Sequence, residues 1–401
     1  MAGPLAGVRV VDLTTVISGP VCTMLLADQG ADVIKIEPPG GDIARRTAGA
    51  GAFTAMFVSS NRGKRSIALD LKQAGGVDVV RRLALTADVL MQNFRPGTLE
   101  RLGLGESHLR SLNPRLIYVS ISGVGESGPY ARKRVYDPII QSLSGLADAQ
   151  GDQATGRPRM VRTIVADKTT AIHAAQAVCA ALYARERTGE GQHVRLSMLD
   201  TMVAFVWPEA MTQYTVLGAE GAGVNPTARP DLIFETADGY ITVGSVSDAE
   251  WRGLCGVLER PDWVSDARFA TPALRSTNAA ERLTLVGEIL KTKPGAYWLE
   301  RLDAADVPCA PVLRRSEVAS DPQVLHNELL EVFEQPGLGK VRQPRPAARF
   351  AATPAAIGGP APAVGEHTRE VLAELGLTAE EIAALDASGA AMMGVRAGEP
   401  A

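Results

Sequence analysis

The sequence predicts an α/β protein: a doubly wound, mostly parallel sheet in a large domain, with a smaller α+β domain after it. Three observations carry this. Strand, helix and strand recur within about 30 residues, the span of a βαβ unit. The strand runs are short and rich in Val, Ile and Leu, as strands covered on both faces are. A stretch dense in Gly, Pro and Ala, 218–230, then divides the chain ahead of a hairpin signal and three helical segments.

The elements follow in order. VRVVDL (8–13) is a first strand; Gly19 and Pro20 open a helical VCTMLLADQGA that ends near Gly30, and VIKIE (33–37) is a second strand. SIALDL (66–71), a helical 74–86, DVLMQNF (88–94), a helical 98–112 and LIYVSIS (116–122) repeat the alternation. A long alanine-rich helix is expected over 168–186, stopped at TGEGQ. HVRLSML (193–199) reads as a strand or as the lead into another helix. LIFETADGYITVGS has an Asp-Gly hairpin turn, and helical stretches at 248–258, 279–291 and 294–305 complete the smaller unit. Residues 335–365 carry Pro-Gly punctuation with little periodicity and read as an extended connector. TREVLAEL, stopped by Gly376, and a helix opened by the Thr378/Glu381 capping box close the chain. The domains are therefore placed at 1–217, completed by 335–401, and at 225–325, with 218–224 and 326–365 as linkers.

Composition narrows the function. The 401 residues are 46% hydrophobic and 21% charged, with a net charge of −4, the balance of a soluble globular protein without a basic footprint for nucleic acid. The N-terminal MAGPLAGVRVVDL has no basic-then-apolar leader pattern, and no apolar run approaches the roughly 18 residues of a membrane span. Cys22, Cys179, Cys255 and Cys309 lie far apart, as thiols of a reducing cytoplasm do. The five histidines are equally scattered, so no metal site is expected. The reading is a cytoplasmic protein without metal, nucleic acid or membrane partner.

Among motifs, GVGESG (123–128) matches GxGxxG after a strand, but Pro129 and ARKR follow instead of a helix start, so a dinucleotide fingerprint is not expected. There is no phosphate-binding GxxxxGK[ST] and no GxSxG elbow. Carboxylate chemistry remains. Asp167, in VADKTTA, falls at the N-cap of the alanine-rich helix. It is either a cap, worth about 1 kcal/mol, or a nucleophile that the helix start keeps ionised. Pattern alone leaves both open.

Five segments in order, PLAGVRVVDLTTVISGPVCTMLLADQGADVIKIEPPGGD, NRGKRSIALDLK, NFRPGTLERLGL, YVSISGVGESGP and DKTTAIHAAQAVCAALYARERTGEGQHVRLSMLD, resemble the successive signatures of class III CoA-transferases, the CaiB/BaiF family of formyl-CoA and carnitine CoA-transferases. The resemblance resumes at VPCAPV (307–312) and GEHTREVLAELGL (365–377). It implies a Rossmann-like large domain and an interlocked homodimer. It implies an acyl-CoA and a carboxylic acid as substrates, no permanently bound cofactor, and Asp167 as the catalytic nucleophile, passing through an aspartyl anhydride and an aspartyl-CoA thioester. By motif position it also places Val16, Ile17 and Ser18 by the CoA arm near the reacting centre, and Leu69 and Lys72 beside the adenine. Asn93, Phe94 and Arg101 fall around the nucleotide and pantetheine, Arg134 near the phosphates, and Tyr136 is counted in the same substrate-binding set.

Two related readings are weighed against it. In α-methylacyl-CoA racemases a histidine precedes the aspartate of the segment matching VYDPII; here that position is Tyr136, a poor base with an ordinary pKa of about 10. A CoA-thioester hydrolase would use the same site without excluding water. Formyl-CoA transferases carry a glutamine where this chain has Ile17, which donates no hydrogen bond, so a larger acyl group or a dicarboxylic acid is expected over oxalate or formate. Trp207, Pro208 and Glu209 are candidates for the acyl pocket wall. GAEGAG (218–223) is the nearest counterpart of the family's glycine lid.

Overall fold

The computed structural model describes residues 3–46, 53–152, 155–220 and 231–394. The chain divides into two compact units, Met1–Gly223 with Glu328–Ala401, and Val224–Asn327. Most of the glycine-rich stretch expected as a linker and lid lies outside the described residues.

In the larger unit, β1 (Arg9–Asp12), β2 (Asp32–Glu37), β3 (Arg65–Leu69), β4 (Val89–Gln92), β5 (Ile117–Ser122) and β6 (His193–Ser197) are mutually parallel. Successive residues point to opposite faces of the sheet. Val11, Ile34 and Ile67 enter one core, while Val10, Val33, Val89 and Ile117 enter the other. Both faces are covered, which is why the strands read as continuous apolar runs. The helices of this half are α1 (Ser18–Asp28), α2 (Ala55–Asn61), α3 (Ala74–Thr86), α4 (Thr98–Arg101), α5 (Glu106–Leu112), α6 (Asp137–Leu143), α7 (Leu146–Ala149), α8 (Val165–Thr188) and α9 (Met198–Ala210). The expected 98–112 helix is thus two, parted where Gly103 turns to φ 69°. HVRLSML is both of its readings in turn, with the strand passing to α9 at Met198. The long helix α8 lays Ala171, Ala174, Ala175 and Val178 against Cys22 and Leu26 of α1; the small side chains let the two helices approach.

The smaller unit has an antiparallel sheet of β7 (Ile233–Glu235), β8 (Tyr240–Val243) and β9 (Cys309–Pro311), with α10 (Asp248–Val257), α11 (Pro272–Thr277), α12 (Ala279–Leu290), α13 (Gly295–Ala304) and α14 (Pro322–His326). The expected hairpin turn is there, closed by Thr236 N–H donating to the Gly239 carbonyl at 2.9 Å. Trp251, Trp263, Phe269 and Trp298 fill its core.

Residues 326–365 are not a plain connector. β10 (Leu330–Gln335) and β11 (Gly339–Pro344) form a six-pair antiparallel hairpin around Pro336-Gly337-Leu338. It is tied to the larger unit by Arg62, which donates to Gln343 Oε1 at 2.9 Å and the Pro344 carbonyl at 2.8 Å while pairing with Asp28. Polar, largely exposed strands gave no alternation to read. The chain ends with α15 (Thr368–Glu374), α16 (Ala379–Ala387) and β12 (Ala391–Met392), which pairs antiparallel with β3. Both halves of the Thr378/Glu381 capping box are formed.

The sheet order is β12-β3-β2-β1-β4-β5-β6. Chain direction across the sheet reverses between β1 and β4, and in open parallel sheets a crevice opens there, past the carboxyl ends of the strands. No helix among the described residues is long and apolar enough to cross a membrane.

Candidate active site

The turn from β1 into α1 forms the floor of that crevice. Asp12, fully buried at the end of β1, accepts from the Thr14 N–H and hydroxyl, from the Thr23 hydroxyl at 2.6 Å and from Lys64 Nζ at 3.0 Å. Burial pushes the Asp12 carboxyl up, but Lys64, Lys35 and the two hydroxyls outweigh it and hold the group well below the carboxylate range. Lys35 donates to the Thr14 carbonyl and pairs with Asp42 at 3.0 Å. Asn93, past the end of β4, clamps Thr15 from above: its Oδ1 accepts the Thr15 N–H at 3.0 Å and its Nδ2 donates to the Thr15 carbonyl at 2.9 Å. So held, Val16 sits at φ 72°, a region where a β-branched residue is strained. Gly19 has no alternative, since a Cβ there would lie 2.2 Å from the Thr14 side chain.

This turn aims the first residues of α1 at Asp167. Ser18, through its hydroxyl and its backbone N–H, favours the ionised form of the Asp167 carboxylate, so the helix start beside that charge is the one of α1. Burial pushes its pKa up, the Ser18 hydroxyl pulls it back, Asp137 adds repulsion, and the net position is above the ordinary 3.8. Asp167 is not the cap of its own helix. α8 begins at Val165, and Ile164 before it contributes no capping side chain. The cap comes from Asp137, whose Oδ2 accepts the N–H groups of Ala166 at 2.7 Å and Asp167 at 3.2 Å. Sequence reasoning missed Asp137 as a cap because the partner lies 30 residues upstream.

Above the floor is an open cleft of about 770 Å³, lined by Thr15, Asn93, Phe94, Arg101, Arg134 and Tyr136 among others. It brings together five of the expected binding residues. The Phe94 N–H is fixed by Gln92 Oε1 at 2.8 Å. Arg95, Arg101, Arg132, Lys133 and Arg134 line the cleft, all exposed and without a carboxylate partner among the described residues. Tyr136, 66% exposed, stands where α6 begins. Of the turn from β1 into α1 only Thr15 lines the cleft; Val16, Ile17, Ser18 and Asp167 lie in or beside that turn but are not among the lining, with the Ile17 and Ser18 side chains buried. Leu69 and Lys72 are not among the cleft's lining: Leu69 is sealed in the core, and Lys72 is exposed beyond β3, two strands from β1. Trp207, Pro208 and Glu209 lie in the last turns of α9. Among the described residues no cluster of His, Cys, Asp or Glu could hold a metal ion.

A cationic rim, an apolar wall at Phe94 and a half-buried carboxylate could suit a substrate that carries both phosphates and a thioester. Comparison with known proteins agrees. The model of "CoA-transferase family III" matches residues 5–368. The chain is 33% identical to human succinyl-CoA:glutarate CoA-transferase, over 93% of this chain and 86% of that protein. It is 36% identical to succinyl-CoA:mesaconate CoA-transferase of Haloarcula hispanica, over 94% and 97%. The crystal structure of an aspartate-to-alanine mutant of Rv3272 from Mycobacterium tuberculosis superposes with a TM-score of 0.82 at 34% identity, covering 93% of this chain and 99% of that one.

Proposed function

This chain belongs to CoA-transferase family III and is a CoA-transferase, and from that premise we propose that it moves CoA between dicarboxylic acids by covalent catalysis on Asp167. The observation that carries the mechanism is the setting of Asp167: a half-buried carboxylate under the influence of Ser18, the first residue of α1, whose preceding turn reaches the cationic cleft at Thr15. The names of two relatives, with succinyl-CoA and glutarate or mesaconate, support the substrate class.

An Asp167 oxygen attacks the thioester carbonyl, the C–S bond breaks, and CoA thiolate leaves a mixed anhydride. The thiolate attacks the aspartyl carbonyl, the anhydride C–O bond breaks, and the donor acid departs from an aspartyl-CoA thioester. The acceptor carboxylate attacks that thioester, regenerating anhydride and thiolate. Thiolate attack on the acceptor's acyl carbon then frees Asp167 and the new acyl-CoA. The Ser18 N–H and hydroxyl favour negative charge on the Asp167 carboxyl, and in this reading they stabilise the charge that develops when thiolate adds to the aspartyl carbonyl. Arg101 and Arg134 take the CoA phosphates, and Phe94 and Asn93 the pantetheine side. Ile17 leaves the acyl end without a side-chain donor. An interlocked homodimer is part of the reading; exposed Ile139, Leu143, Ile172 and Phe205 on α6, α8 and α9 support it as surface a second copy would cover.

The test pairs a panel of acyl-CoA donors and acceptor acids with hydroxylamine trapping. Succinyl-CoA with a four- or five-carbon dicarboxylate is expected to give a new thioester without net thiol release, and mass spectrometry to find the hydroxamate on Asp167. Turnover with Asp167 unmodified would sink the covalent route; steady thiol release without acceptor would make the protein a hydrolase.

A further inference from the structure

The start of α8 is capped from outside, and by a charge. Asp137 is 2% exposed, with Oδ2 on the Ala166 and Asp167 N–H groups and Oδ1 accepting from Gln141 Nε2 at 2.6 Å. Gln141 in turn accepts the Val161 N–H at 2.9 Å, which ties down the strand of chain leading into α8. A neutral Asn or Ser caps a helix about as well as Asp, and a buried carboxylate carries a desolvation cost that a neutral cap avoids. The surplus charge faces a second carboxylate. We propose that Asp137 is a positioning residue for the nucleophile: it fixes the first turn of α8 so that Asp167 meets α1, and its fixed negative charge drives that carboxylate toward acylation.

The proposal rests on the reading of Asp167 as the attacking group. Repulsion between the two carboxylates ends once Asp167 is acylated and neutral, and it returns when the carboxylate is released. A carboxylate under repulsion is also the stronger base, and so the better nucleophile. Few other groups compete at Asp167. Ser18 faces it from α1; on its own helix Lys168 turns to the Thr163 hydroxyl at 2.9 Å, and the His173 ring donates to the Thr169 carbonyl. The charged or titratable groups of the other elements packed on α8, which apart from Asp137 are Cys22, Asp28, Tyr118, His193, Arg195, Asp200 and Glu209, are not among those acting on it. Tyr136, next to Asp137, lines the cleft, so one short segment touches both the binding surface and the nucleophile's helix.

Asp137→Asn keeps a neutral acceptor for the Ala166 and Asp167 N–H groups, and Asp137→Ser removes the charge with a shorter side chain. In each, the acid limb of the kcat/KM–pH profile, set by ionisation of Asp167, is expected to move to lower pH by about half a unit or more. The hydroxylamine-trappable fraction of Asp167 is expected to fall with it. Gln141→Ala keeps the charge but loosens its seat, so its limb stays at the wild-type position while kcat drops. An unmoved limb in the folded Asp137 variants, with activity following melting temperature alone, would overturn the proposal. Asp167→Ala separates the two failures: turnover there defeats the nucleophile itself, whereas an inert Asp167→Ala beside an unmoved Asp137→Asn limb defeats only the role given to Asp137.

Discussion

The floor and the rim of the cleft are built on opposite terms. On the floor, Asp12, Lys64, Lys35 and Asp42 are fully buried and engaged with one another or with the turn that carries Val16. On the rim, five cations stand exposed without carboxylate partners among the described residues. Reaction geometry needs groups held to fractions of an ångström, and buried, mutually satisfied polar groups supply that. Phosphate capture needs charge left free for the ligand, and a rim already paired with carboxylates would have to break those pairs first. The strained Val16 and the repelled Asp167 both sit on the floor, where the surrounding network can sustain them.

That division predicts where mutations hurt. Asp167→Ala is expected to lower kcat by about a thousandfold or more while leaving CoA affinity intact in a binding titration, because the rim is untouched. Residual turnover near the wild-type rate would mean that floor and rim are not separate devices. Next comes Lys64→Met, which strands a buried Asp12 charge. Breaking a buried pair from one side costs about 3–5 kcal/mol, readable as a lower urea midpoint, and the Val16 turn should loosen with it. An unchanged midpoint would show that the floor network is not what holds the turn. Arg134→Ala and Arg101→Ala, by contrast, are expected to raise KM for acyl-CoA several-fold, about 1 kcal/mol each, with kcat and melting temperature unchanged. The effect should shrink in high salt, since exposed charges are screened.

The same division marks what the sequence could show. Strands β1 to β5 were legible because two covered faces leave runs of apolar residues, and motif position singled out Asp167, Arg101 and Arg134 as candidates. The details that give Asp167 its setting were not. Val165 and Ile164 carry no start signal, so α8 read as opening three residues late, with Asp167 as its cap. The true cap, Asp137, belongs to another helix, and the pairing exists only after folding. The β10–β11 hairpin stayed hidden for a different reason: most of its side chains are exposed and its two buried positions, Gln335 and Gln343, are polar, so no apolar period-2 pattern marks it. Motif position also put Leu69 in the binding set, although its side chain is spent on the core.

The smallest effect tests the floor's strain directly. Asp167 has a folded-state pKa above the ordinary carboxylate value, through burial first and Asp137 repulsion after it. Its protonated form therefore adds stability that is fully present below the ordinary value and is lost as pH rises through the folded one. At pH 7 the ionised side chain carries the whole loss. Asp167→Asn keeps the shape and removes the titration, so it is expected to melt slightly higher than wild type at pH 7, with the difference fading as the pH approaches 3. Arg134→Ala should show no such crossover, because Arg134 is exposed to solvent and lies outside the buried network. If Asp167→Asn melts lower at pH 7, the nucleophile is stabilised by its surroundings rather than held against them, and the contrast between the two ends of the cleft reduces to exposure alone.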